Sequence, residues 1–365
     1  MDYRYFENDP ELASKKELLE KLFAVFQELL TRSDGDPEQA LEWMRSIDRR
    51  MKLFGQGITP EKLRELLEKH GFVTRGRDQR LALTKKTERS MRASALEHVF
   101  GALQRDLSGA HRVAAAGAGL ERLSESRAYE FGDPVHAIDS VRTLANALRA
   151  GDLDSLSVRE EDLQVFETEH SSSCATVLMV DVSHSMILYG EDRITPAKRV
   201  ALALCELITT RYPKDSLDVI LFGDTAWQVS IEELPYLAAG PHHTNTRAGL
   251  ELAREILRKK KQHNRRIVML TDGKPSAITE RNGQVYKNPF GLDRRIVNKT
   301  LEEAEACRRL RIPITTFMLT TDPTLVDFVK RFTEVNHGRA YYSELDRLGS
   351  FVLVDYVENR VRRVR

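Results

Sequence analysis

Apolar residues fall at three- and four-residue spacing in Leu18, Leu19, Leu22, Phe23, Phe26, Leu29 and Leu30, which is the stripe of an amphipathic helix. The same period predicts helices over Pro37 to Met51, Thr59 to His70 and Thr87 to Leu107, with Thr59 as N-cap and Pro60 at the first helical position. A Gly/Ala-rich stretch, Gly109 to Gly119, interrupts the pattern. A last helical segment over Asp139 to Ala150 then precedes a polar connection at Gly151 to Asp154. Strand signals are nearly absent in this half, so residues 1–160 are expected to form an all-α domain.

Beyond that point the pattern changes. Short, near-continuous apolar runs occur at Ala175 to Val180, Leu217 to Phe222, Arg266 to Leu270 and Ile312 to Leu319. They alternate with helical patterns at Pro196 to Arg211, Arg247 to Lys259, Leu301 to Leu310, Pro323 to Thr333 and Leu345 to Val364. Alternating strands and helices predict an α/β domain over residues 161–365, a Rossmann-like, doubly wound and mostly parallel sheet with helices on both faces. The turn Phe222-Gly223-Asp224-Thr225, followed by Ala226 to Ile231, predicts one antiparallel edge strand.

Charge narrows the function classes without naming one. The 56 Lys plus Arg residues against 55 Asp plus Glu give a formal net charge of +1, so no summed field draws the chain to nucleic acid or to an anionic membrane. The three cysteines, Cys174, Cys205 and Cys307, lie far apart with no CxxC pair, which argues against a zinc knuckle and a secreted disulfide framework. The apolar runs are too short to span a bilayer, and the first residues lack an apolar core of signal-peptide length. A cytoplasmic protein is expected. No GxxxxGK[ST] motif occurs, so ATP hydrolysis, if the function needs it, belongs to another chain.

The candidate chemistry lies at the strand ends. The first strand runs into Asp181-Val182-Ser183-His184-Ser185-Met186, and a later one into Thr271-Asp272-Gly273-Lys274-Pro275. Open α/β sheets bind ligands beyond the carboxyl ends of their strands. Between these two segments, Gly240-Pro241-His242-His243-Thr244-Asn245-Thr246 adds hydroxyls in a loop before a helix. Two carboxylates, three hydroxyls and no thiolate make a hard oxygen set that suits Mg2+, or Mn2+, better than zinc. Such an ion with an open position would favour an incoming carboxylate. With no placed base or nucleophile, a non-enzymatic binding site fits better than a Mg-dependent hydrolase or phosphatase, which is the alternative from another class. A polar turn whose Ser and Asp cap the following segment is the plain reading of the same residues.

Asp181-x-Ser183-x-Ser185, then Thr244, then Thr271-Asp272-Gly273 resembles, in that order, the metal-ion-dependent adhesion site (MIDAS) of von Willebrand factor A (VWA) domains. The resemblance covers roughly residues 160–365. It implies that Ser183, Ser185 and Thr244 ligate a divalent ion through their hydroxyls, with Asp181 and Asp272 binding directly or through water and Thr246 supporting them. Many A domains carry Gly-Gly before that Thr; here the positions read Gly240-Pro241-His242-His243. The helical region, including Tyr129-Glu130-Phe131-Gly132-Asp133-Pro134, is similar to that of bacterial A-domain proteins that accompany MoxR-type AAA+ ATPases, and to CoxE-like proteins and chelatase subunits. That narrower resemblance implies a MoxR-type AAA+ ATPase as partner, alongside a protein partner offering an acidic residue.

Other features have simpler accounts. His184, His242 and His243 flank the site at no standard zinc spacing and are not assigned as ligands. Gly117-Ala118-Gly119 lacks the strand and third glycine of a dinucleotide fingerprint. Arg75, Arg77, Arg80, Lys85, Lys86, Arg89 and Arg92 form a basic segment that reads as a solvated helix face, with nucleic-acid binding the lesser alternative. Arg360 to Arg365 complements a helix end. Glu280 to Arg294 is expected to emerge at the metal end of the sheet, with Tyr286 and Phe290 either as anchors for a partner or folded back as a local plug.

Overall fold

The computed structural model describes residues 10–51, 59–76, 79–107, 126–129, 138–150, 158–166, 173–190, 192–262, 264–288, 290–319, 322–342 and 348–358. Gly109 to Gly119, Gly151 to Asp154, most of the Tyr129 to Pro134 segment, Arg77 and Arg360 to Arg365 lie outside them.

The first half is helical, with α1 at Pro10–Arg32, α2 at Pro37–Met51 and α3 at Pro60–Lys69. As the sequence indicates, Thr59 caps α3 by accepting from the Lys62 amide at 3.2 Å, and Pro60 opens the helix. An antiparallel pair, β1 (Val73–Arg75) with β2 (Leu81–Leu83), comes next. This departs from an all-α expectation. Three-residue strands carry too little alternation to be read from sequence, and their turn depends on Gln79 at φ 64°. Helix α4 (Lys85–Leu107) precedes a second short pair, β3 (Ser126–Ala128) with β4 (Gln164–Phe166), with α5 (Ser140–Ala150) between them in the chain. Leu22, Phe26 and Leu30 of α1, Met44 of α2, Leu63 and Leu67 of α3 and the hairpin residues Val73, Leu81 and Leu83 close one small core.

The second half holds a six-stranded sheet. Its strands are β5 (Cys174–Asp181), β6 (Ser216–Phe222), β7 (Ala226–Val229), β8 (Asn264–Thr271), β11 (Ile314–Met318) and β12 (Arg339–Tyr342). They are arranged in the order β12-β11-β8-β5-β6-β7. All neighbours are parallel except the edge pair β6 and β7, as expected. A separate small hairpin pairs β9 (Ala277–Thr279) with β10 (Val285–Lys287).

All eight residues of β5 are buried, because helices cover both faces of the sheet. Leu178 and Val180 face one core with α6 (Ile194–Arg211) and α10 (Leu348–Glu358). Val177 and Met179 face the other, with α7 (Thr246–Lys259), α8 (Arg294–Arg309) and α9 (Pro323–Asn336). Helix α4 contributes Ala95 and Val99 to the first of these cores and Met91 to the small helical core.

Strand β12 follows a tight corner in which Gly338 is obligatory, since a Cβ there would stand 2.0 Å from the Ile314 carbonyl oxygen. Asn336, buried just before it, bonds three ways: its Oδ1 accepts from the Ile314 amide at 2.7 Å and its Nδ2 donates to the Ala304 and Ile312 carbonyls. One side chain thus ties α9, α8 and the start of β11 together.

The chain lays down β5 first, moves outward to β6 and β7, and returns to the other side of β5 with β8. The switch point therefore lies between β5 and β8, where the two strands' carboxyl ends leave a crevice.

Candidate metal centre

Asp181 closes β5, and Asp272 directly follows Thr271, the last residue of β8. The topology thus places both carboxylates at the switch-point crevice. Neither is at the surface: Asp181 is fully buried and Asp272 is 2% exposed. Ser183 and Ser185 sit in the turn after β5, their hydroxyl oxygens 2.9 Å apart. The Ser183 amide donates to Asp181 Oδ1 at 2.9 Å, and the Ser185 hydroxyl bonds the Asp272 carboxylate.

Thr244 joins through its loop. The Gly240 amide donates to the Val182 carbonyl and the His184 amide to the His242 carbonyl, each at 2.9 Å. Ser276 then straps Thr244 in place, its hydroxyl accepting from the Thr244 amide and its own amide donating to the Thr244 carbonyl, both at 2.9 Å. Asp181, Ser183, Ser185 and Asp272 are therefore linked by side-chain hydrogen bonds, and Thr244, 2% exposed, lies on a loop that backbone bonds tie to the turn carrying the serines. Thr246 begins α7, one residue after Asn245, whose Oδ1 caps the helix from the Ala248 amide.

Burial and proximity disfavour two bare negative charges here. Burial pushes the Asp181 carboxyl well above its ordinary range, and repulsion from Asp272 adds to the effect. Burial raises Asp272 as well, against the Ser185 hydroxyl, the Lys274 amide and the charges of Arg193 and Lys274. Arg193 Nη1 lies 3.8 Å from Asp272 Oδ2. A divalent cation between these groups would meet two carboxylates and neutral hydroxyls, all hard oxygens, so the residues present fit Mg2+ or Mn2+. Among the described residues no group of three or more His, Cys, Asp or Glu side chains gathers to hold a metal, which is the pattern a zinc site would need.

The histidines occupy a neighbouring cluster. His242 and His243 place Nδ1 atoms 3.9 and 3.4 Å from the Asp224 carboxylate, which Lys287 Nζ already holds at 2.6 Å. The His242 ring lies over Gly223 and Gly240, where any Cβ would collide with it.

Three residues at the site have roles that motif spacing did not assign. Thr271 Oγ1 donates to Asp181 Oδ2 at 2.6 Å and accepts from the Gly273 amide at 3.0 Å, so it orients the buried carboxylate from behind. Ser276 and Arg193 are the others. Thr271 was legible as the residue beside Asp272; Ser276 and Arg193 carried no signal, because only folding brings their loops to the site. The basic segment is partly spent inside the chain, with Arg75 paired to Glu68, Lys86 on the His70 carbonyl and the Phe72 ring, and Arg92 on Glu206.

Residues 174–357 match the family described as "Rv0959-like protein, vWA domain", and residues 121–168 match "Rv0959-like protein, third domain". The uncharacterized proteins Rv0959 of Mycobacterium tuberculosis H37Rv and Mb0984 of Mycobacterium bovis are each 34% identical to the chain over 316 residues, covering 83% of it and 46% of their own length. The chain thus spans about half the length of these curated relatives. Among solved structures, the PilB minor pilin from Streptococcus sanguinis is similar with a TM-score of 0.41 at 14% identity, covering 54% of this chain and 64% of that one. The vWF domain of the type V pili tip protein Mfa5 from Porphyromonas gingivalis is similar at 0.42 and 12%, covering 53% and 98%. The SpRpn10 VWA domain is similar at 0.37 and 16%, covering 49% and 93%.

Proposed function

Because the chain belongs to the Rv0959-like family of von Willebrand factor A domain proteins, we propose that it is a non-enzymatic docking module whose A domain binds Mg2+ or Mn2+ and uses it to engage an acidic residue of a protein partner. Asp181, Ser183, Ser185, Thr244 and Asp272 would hold the ion. The observation that carries this reading is the pair of buried, mutually repelling carboxylates hydrogen-bonded to a serine pair at the switch point of the sheet. When bound, the ion supplies an electrophilic position for a carboxylate oxygen. Thr271 and the Ser183 amide fix Asp181, and the Lys274 amide, at 3.3 Å from Asp272 Oδ1, fixes its partner.

The wider reading places a MoxR-type AAA+ ATPase beside the helical half, residues 1–160, with the A domain over 161–365, in the cytoplasm. Its support is the resemblance of the Tyr129 to Pro134 segment together with the three buried free thiols, which suit a reducing compartment. Among the described residues no helix is long and apolar enough to cross a membrane. Capture of partners from native lysate by the full chain, with Mg2+ and with chelator, and again with Asp181→Ala, tests both parts. Metal-dependent recovery of a AAA+ ATPase that Asp181→Ala abolishes is the expected result; partners indifferent to chelator would refute the docking mode.

A further inference from the structure

A permanent positive charge stands beside the two carboxylates. Arg193 opens α6, with a side chain 12% exposed and Nη1 3.8 Å from Asp272 Oδ2. It is fixed from both directions. Its amide donates to the Met186 carbonyl at 3.0 Å, in the turn that carries Ser183 and Ser185, and its carbonyl accepts from the Ala197 amide at 3.3 Å. The preceding Asp192 accepts from the Thr195 amide at 3.0 Å and so caps the same helical turn. The loop that supplies the hydroxyl pair therefore also holds a guanidinium against the site.

Distance decides what this group can do. At 3.8 Å this contact is longer than the 2.7–3.2 Å of a direct N–H···O bond, so across it Arg193 acts on Asp272 through its charge. A guanidinium does not deprotonate in proteins, so the charge is constant with pH. Low exposure weakens screening by water and salt. Lys274 also adds its charge near Asp272; Arg193 makes the site one unit more positive than it would be without the guanidinium, with the ion and without it.

We propose that Arg193 is a positioning residue of charge for this centre: it weakens capture of the divalent ion and adds to the occupied site a positive charge that favours an anionic group. The inference rests on the metal-docking reading above. It identifies the recognised chemistry as a carboxylate or similar anion, held by an occupied site that Arg193 makes more positive.

The test uses the full chain. Mn2+ and Mg2+ are titrated calorimetrically into the wild type, Arg193→Gln and Arg193→Lys at one ionic strength. The Gln variant is expected to bind metal more tightly by on the order of tenfold, as a Coulombic contribution at an intermediate dielectric implies, and the Lys variant to return close to wild type. Damage to the fold would loosen binding, so tightening separates charge from structure. Arg193→Met is a second neutral variant should Gln fail to fold. As a second readout, paramagnetic relaxation of trifluoroacetate by the Mn2+-loaded proteins is expected to be weaker for Arg193→Gln than for wild type. A folded wild type that takes up no metal would overturn the docking reading and this inference with it. A wild type that binds while both neutral variants bind equally or more weakly would overturn the inference alone.

Discussion

Asp181 is strained by burial and by Asp272, and its behaviour without metal can be worked out from sign alone. A carboxyl whose folded pKa lies above its unfolded value contributes stability that is present at acid pH and lost as pH rises through the folded pKa. For Asp181 that window opens at the ordinary carboxylate range and extends upward, because burial and Asp272 both favour the protonated form. In chelator, the melting temperature of the wild type should therefore fall towards neutral pH relative to Asp181→Asn, which has no charge to develop. A parallel pair of pH profiles would show that the two carboxylates do not strain the apo site. Added Mg2+ should reverse the trend, since the ion removes the repulsion, raising stability by about 2.7 kcal/mol at a hundredfold excess over its dissociation constant. Asp181→Ala should lose that gain while keeping the apo fold, and calorimetry reads both. At this scale the sequence brought out the candidate residues Asp181, Ser183, Ser185 and Asp272, because DxSxS and TDG are contiguous. It did not reveal Arg193, Ser276 or the aim of Thr271, which depend on loops meeting only in the folded sheet.

Elements were legible in proportion to their burial. Strands β5, β6, β8 and β11 appear as apolar runs because both faces are covered, and the edge strand β7 was marked by its turn. Strand β12 was missed: Arg339, Ala340, Tyr341 and Tyr342 are all partly or largely exposed, so no apolar run distinguishes them. The first two turns of α8 were missed as well, since Arg294 to Thr300 is mostly polar and the helix is started by Asp293, whose Oδ1 accepts from the Arg295 and Ile296 amides. The segment Glu280 to Arg294 resolves into part of the β9–β10 hairpin and a loop that treats its two rings differently. Tyr286 is bracketed locally, donating to Asp293 Oδ2 at 3.2 Å beneath the Arg295 guanidinium. Phe290 is 85% exposed. The expectation divides accordingly: Phe290→Ala should leave the melting temperature within error and weaken metal-dependent partner capture, whereas Tyr286→Phe should lower the denaturant midpoint slightly through one lost, solvent-exposed hydrogen bond. Unchanged capture by Phe290→Ala would remove that ring from the docking rim. Elsewhere, Asn336→Ala leaves the Ile314 amide and two carbonyls without their partner; a loss of about 2–4 kcal/mol is expected, at 1–3 kcal/mol per orphaned buried group with partial relaxation.

At the scale of the whole molecule, the question is whether the helical half and the A domain unfold separately. Composition and periodicity suggested two units meeting near residue 160, and that boundary remains a proposal. The packing across it is intimate. Helix α4 carries Met91 into the helical core and Ala95 and Val99 into the sheet's core beside α6. Lys198, fully buried on α6, donates to the Thr31 carbonyl at 3.1 Å and to Asp34 at 2.7 Å, and Arg199 grips Glu28 with both oxygens within 2.8 Å. Neither cation reads as an interface residue in the sequence, where Lys198-Arg199 sits in an amphipathic helix like any solvated pair. Arg193, the N-cap of the same helix, stands beside the candidate metal centre, so α6 meets that site at one end and the helical half along its length. Full-length protein should therefore melt in one calorimetric transition, and Mg2+ should move all of it. A fragment of residues 161–365 should melt lower, because α6 would expose the face that α1 and α4 cover. Lys198→Ala separates packing from propensity: it should lower the full chain's stability by about 2–4 kcal/mol through a cavity and an unmet carbonyl. Lys198→Met, which keeps the volume without a buried charge, should cost less. Two resolved endotherms in the full-length protein, with Mg2+ shifting only the upper one, would show instead that the halves are independent and that α6 transmits nothing between them.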